Sequence, residues 1–75
     1  MNLYLISQHT NCKYDTYDSA VVAAVDADDA KTIHPSGDWN WGGWCDSPTE
    51  VTAKLIGMAA PGVERGVVLA SYNAG

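Results

Sequence analysis

"SAVVAAVDADDAKTIHP", residues 19–35, decides the fold. Its first seven residues are short, valine-rich and bounded by acidic turn formers, which suits a buried strand better than a helix. Residues 26–35 carry the clearest local signal in the chain. Asp26 stands as an N-cap, Asp28 and Asp29 sit in a first turn where carboxylates meet the positive end of the helix dipole, and Pro35 stops continuation beyond Ile33. The helix is therefore expected to be about two turns long. Ala27, Ala30 and Ile33 recur every third residue, a small apolar stripe able to lie close on a sheet, with Lys31 and the aspartates outward.

Working outward, "NLYLIS" at residues 2–7 alternates Leu3 and Leu5 with Tyr4 and Ile6, a strand apolar on both faces. Residues 9–18 are polar and read as a connecting loop, so the first two strands form an antiparallel pair. On the other side, "EVTAKLIG" alternates Val51, Ala53 and Leu55 with Thr52, Lys54 and Ile56, a strand with one wetter side. Pro61-Gly62 in "APGVERG" suits the centre of a type II turn, and "VVLASY" makes a last strand. The expectation is one α+β domain over residues 1–75, a small antiparallel sheet in β-β-α-β-β order with one short helix on one face and a Trp/Gly-rich loop.

Composition narrows the function classes. Nine acidic residues against four basic ones give a net charge of −5, which repels nucleic-acid phosphates and offers no basic stripe. Direct nucleic-acid binding is not expected. "MNLYLISQH" lacks the basic start and long apolar run of a targeting signal, and no run approaches a membrane span. The expected setting is the cytoplasm, where Cys12 and Cys45 remain thiols. A chain of 75 residues has a thin core, so self-association is one way to hold it together.

The phrases "LYLISQ", "YDTYDSAVVAA", "AKTIHP", "VTAKLIGMAAPG" and "GVVLASYNAG" resemble a family of short uncharacterised proteins encoded in phage and prophage genomes. The resemblance implies an origin, a small accessory protein acting in a bacterial cell, and carries no catalytic residues with it.

Chemistry-bearing clusters are few. His9, Cys12, His34 and Cys45 are ligand types that suit tetrahedral zinc, but ten residues separate the second pair and Pro35 interrupts it. Ordinary histidines and thiols are the better reading, with no metal and no cofactor. Asp46 beside Cys45 opposes a reactive thiolate. Asp15 and Asp18 fit loop chemistry, and the acids at residues 26–29 fit helix capping. An enzyme is not expected.

All three tryptophans fall within "GDWNWGGWCD", residues 37–46. Trp44, closest to the following strand, is expected to pack into the core, whereas Trp41, beside Gly42-Gly43, is expected to be the most exposed. Trp39, Trp41, Tyr14, Tyr17, Asp38 and Asn40 are the candidate binding residues. The function expected is an acidic, non-enzymatic interaction protein, a homodimer that contacts another protein, such as a factor of the phage's host. The alternative is a nucleotide-like ligand held by the tryptophan loop, with Lys13 or Arg65 as countercharge. A homodimer is expected because one short helix covers only one of two apolar sheet faces.

Overall fold

The computed structural model describes residues 1–11, 15–40 and 42–73. Strand β1 (Asn2–Ser7) and strand β2 (Thr16–Ala24) are followed by helix α1 (Ala27–Lys31), a 3-10 turn at Pro48–Glu50, strand β3 (Thr52–Met58) and strand β4 (Gly66–Asn73). Among the described residues the strands form one four-stranded sheet in the order β3-β1-β2-β4, antiparallel at every pairing. The α+β class expected from the sequence is the class observed.

Strand β2 begins earlier than its valine run, because Thr16 and Tyr17 pair with Asn73 and Tyr72 of β4. Such cross-strand partners are tertiary and invisible to local pattern. β2 also ends one residue before Val25, which is exposed where the chain turns into the helix cap.

Asp26 caps α1 in extended geometry, its Oδ1 accepting the Asp29 amide hydrogen at 2.7 Å. The helix is shorter than its pattern suggests. Thr32 N donates to Asp29 O and Ile33 N to Ala30 O, the tight i to i−3 bonds that close a helix end. Ala30 and Ile33 are buried and Ala27 packs on the core, as the three-residue spacing requires. A turn at residues 34–37 comes next, closed by Gly37 N to His34 O at 2.8 Å, with Pro35 in second place.

The register divides the sheet's residues between two sides. Tyr4, Ile6, Ala20, Val22 and Ala24 face the helix and join Ala30, Ile33, Trp44, Cys45 and Val51 in the core. Ile6 and Val22 are its largest fully buried side chains, each stabilising the fold by about 1.5–3 kcal/mol on area grounds. Three irregularities interrupt the sheet register, one of them at Asp18 between Tyr17 and Ser19. Ile56 falls in a shift of the β1/β3 register and Val68 in a shift of the β2/β4 register. Val67 consequently shares a face with Ala70, and Leu69 points to the other side.

Because β3 and β4 lie on opposite edges, residues 59–65 form a strap across one end of the sheet. Ala59 N is held by Met1 O, and Val63 N donates to Ala60 O around a turn in which Gly62 has φ +92°. That positive angle is what a type II turn needs at its third residue. Arg65 then clamps the strap to α1. Its guanidinium places Nε 3.0 Å from both Asp29 carboxylate oxygens and Nη2 2.8 Å from Oδ1 and 2.9 Å from Thr32 Oγ1. Asp29 is thus not an outward-facing acid, contrary to the helix pattern. Its carboxyl is held below the usual range chiefly by the Arg65 bond, then by the Val25 amide at 3.2 Å.

Candidate functional site

Two regions compete as a working surface: the loop end carrying the tryptophans, and the side of the sheet away from the helix. At the loop end, Gln8 is buried and organises the chain leaving β1. Its Oε1 accepts from Thr10 N at 2.9 Å and Asn11 N at 2.8 Å, while Nε2 donates to Asn11 O and Tyr17 O. Asn11 Nδ2 reaches Trp44 O at 3.0 Å, and Tyr17 N donates to Gly43 O. These bonds draw the tryptophan loop across the sheet end. Ser47 and Glu50 close it with a capping box, Glu50 Oε2 accepting from Asp46 N and Ser47 N, each at 3.0 Å. Sequence reasoning passes over Glu50 and Gln8: the S-P-T-E spacing signals the first, and nothing comparable marks the second.

Trp44 is 3% exposed, in agreement with its expected place in the core. Trp39 is half-buried, donates Nε1 to Thr32 O at 2.7 Å and meets the His34 ring edge-on with centroids 5.1 Å apart. Tyr17 packs on the same cluster and against Tyr72, 5.0 Å away. Burial first, then Asp15 and Tyr17, push the Tyr72 phenol up. Asp38 and Asn40 are exposed, but Asp38 Oδ1 accepts the Asn40 amide in a local turn. Tyr14 and Trp41, with Cys12 and Lys13, lie outside the described residues. Thus Trp39 and Tyr17 converge on the edge of the core, while Asp38 and Asn40 stand apart at a turn.

His34 lies at the centre of this cluster. Its Nδ1 accepts the Ser36 amide hydrogen at 3.0 Å, which fixes a neutral ring protonated on Nε2. Ser36 Oγ is 2.8 Å from the same nitrogen and 3.1 Å from Asp38 O. One in-plane lone pair already serves the backbone, so this geometry shapes a turn rather than activating a hydroxyl. Cys45 donates to Ser47 O at 3.4 Å, and burial, followed by Glu50 and Asp46, pushes its thiol up. Among the described residues no three His, Cys, Asp or Glu side chains are grouped to hold a metal.

An open cavity of about 290 Å³ lies beside this loop, lined by Thr10, Asn11, Trp44, Cys45, Asp46 and Glu50. Among the described residues its charged lining is Asp46 and Glu50, both acids. Arg65, offered by the sequence as a countercharge for an anionic ligand, is committed to Asp29 on the helix.

The second region is the side of the sheet away from α1. Register places Leu3, Leu5 and Ser7 of β1 there, with Ser19, Val21 and Ala23 of β2, Thr52, Lys54 and Gly57 of β3, and Gly66, Leu69 and Ser71 of β4. None belongs to the core cluster. Leu5 is 36% and Leu69 69% exposed. Only Lys54 among them is charged; Asp18 falls at the register irregularity beyond Ser19.

No family model, curated protein or solved structure matches the chain. Among the described residues no helix is long and apolar enough to cross a membrane.

Proposed function

We propose that this chain is a non-enzymatic interaction protein whose working surface is the open face of its sheet. The carrying observation is that Leu5 and the well-exposed Leu69 share a side of the sheet with the half-buried Leu3 and Val21, and that none of the four joins the core cluster on the helix side. Contiguous apolar surface of this kind marks protein contact sites. The tryptophan loop supports the reading by what it is occupied with: Trp44 and Trp39 are core and lid, and the charged groups among the described residues lining the adjoining cavity are the acids Asp46 and Glu50, which disfavour a nucleotide-like anion. The raised, hydrogen-bonded Cys45 thiol and the occupied Nδ1 of His34 argue against nucleophilic catalysis. The phrases that resemble phage-encoded proteins favour an accessory role in the cytoplasm of a bacterial host, with a protein as partner.

The test is photo-crosslinking in bacterial cells from a photoreactive residue placed at position 5, with one at exposed position 55 on the opposite face as control. Protein adducts are expected from position 5 and not from 55, and Leu69→Asp in the same chain should abolish them. Adducts from 55 alone, or from neither position, would overturn the assignment.

A further inference from the structure

We infer that the partner docks as an extended segment of another protein, uncharged in its middle and basic at its ends, which pairs with β4 as a fifth strand. The inference rests on the proposal that the open face is the working surface, and specifies how a protein reaches it.

Backbone chemistry selects a strand. Among the described residues β4 has one strand neighbour, β2, so its other side is an edge. Every second residue of an edge strand turns its N–H and C=O away from the sheet, and another extended backbone meets such a row in register. The two edges of this sheet differ in their defences. β3 carries the exposed Lys54 in mid-strand, a charge of the kind that deters edge pairing, whereas β4 has neither charge nor proline from Gly66 to Asn73. Each edge strand holds one extra residue, Ile56 on β3 and Val68 on β4, so bulges do not separate them.

The side chains along β4 ask for apolar neighbours. Leu69 is 69% exposed on the open side, and Val67 is exposed on the helix side. An added strand gives each a cross-strand partner and widens the open face beyond Leu69.

Charge selects the ends of the incoming segment. Glu64 is exposed two residues before β4, and at the far end the exposed Asp15 accepts the Tyr72 hydroxyl hydrogen. Arg65 does not neutralise the first of these, being committed to Asp29. The uncharged edge is thus bounded by an acid at each end. Val67–Ser71 spans about 17 Å at about 3.3 Å per residue, the length of an ordinary strand. Lysine or arginine just outside such a segment meets both acids, while the net charge of −5 opposes a further copy of this chain.

The test is residue-resolved amide hydrogen exchange of the purified chain with a synthetic peptide of alternating valine and threonine between lysine pairs, at millimolar concentration. Exchange should slow within Val67–Ser71 and stay unchanged in Thr52–Met58. The same peptide N-methylated at every central amide should have no effect. Glu64→Gln combined with Asp15→Asn should weaken binding about fivefold, the size expected of two exposed charge pairs, with an unchanged circular dichroism spectrum. No protection on β4, protection on β3, binding that survives N-methylation, or an affinity unchanged by the double substitution overturns the inference. So does twice the 8.0 kDa chain mass without peptide, with the β4 amides already protected, which would seat a second copy on the edge. If the inference fails while position-5 adducts to another protein form, strand addition falls and the open face remains the working surface. If no adduct forms, both fall.

Discussion

Ile6 and Leu5 are neighbours on one strand, of the same size and apolarity, yet one is 0% and the other 36% exposed. The two sides of the sheet differ because of what the rest of the chain provides. A five-residue helix and the tryptophan loop cover the middle of one face, leaving Leu55 and Val67 exposed at its edges, and both are spent on that same face. Hydrophobicity alone therefore does not decide burial in a chain this short. The supply of covering backbone does.

That contrast breaks first at Trp44. Trp44→Ala should cost about 3–5 kcal/mol in urea unfolding, the range for a large buried aromatic. Trp44 Nε1 is buried without a hydrogen-bond partner, so Trp44→Phe should cost clearly less than the alanine variant by also removing that orphan donor. An equal loss for both would mean that a phenyl ring recovers none of the packing made by the indole.

Next comes the neighbouring pair. Ile6→Ala should destabilise by about 2–5 kcal/mol at any protein concentration. Leu5→Ala should cost clearly less, because its side chain is already 36% exposed. Similar losses at both positions would erase the distinction between the faces.

Gln8→Ala probes the sheet end rather than either face. It strips partners from the Thr10 and Asn11 amides and should cost about 1–3 kcal/mol, with hydrogen exchange accelerated at those two amides. Protection unchanged at both would show that the turn holds without it.

The smallest effect belongs to the clamp between the strap and the helix. Asp29 has a lowered folded-state value, so its contribution is present above the unfolded carboxylate range near about 3.9 and is lost as pH falls through the folded value. Asp29→Asn should flatten that part of the acid-unfolding curve. An unchanged curve would mean that the Arg65 contact adds nothing to stability.

Much of this architecture is legible in the residues themselves. Asp26, Ala30, Ile33 and Pro35 declare the helix and its buried stripe, and the Leu3/Tyr4/Leu5/Ile6 alternation declares two apolar sides. Tether length also points Trp44 inward. The rest depends on partners distant in sequence. Val68 and Ile56 look like ordinary members of an alternating strand, and only the pairing with β2 and β1 reveals the two shifts, the one at Val68 putting Leu69 and Val67 on opposite sides. Asp29 reads as a helix-dipole carboxylate until Arg65 arrives 36 residues later. Trp39 reads as a binding aromatic because its bond to Thr32 O is made by a turn that no local pattern announces. The tryptophan cluster draws attention by composition, whereas the open face is built from leucine, valine and serine that look unremarkable one at a time.

The strap also sets an order of events in folding. β1 and β2 are joined by a short loop and can find one another locally, but residues 59–65 must carry the chain past both of them before β4 can pair with β2. Pairings that close long stretches of chain form slowly. β4 should therefore dock late, and until it does, "GVVLASYN" is an uncharged, proline-free segment without a strand partner. Such a segment invites intermolecular β-pairing. Refolding yield should accordingly fall as protein concentration rises, even where the finished fold is stable.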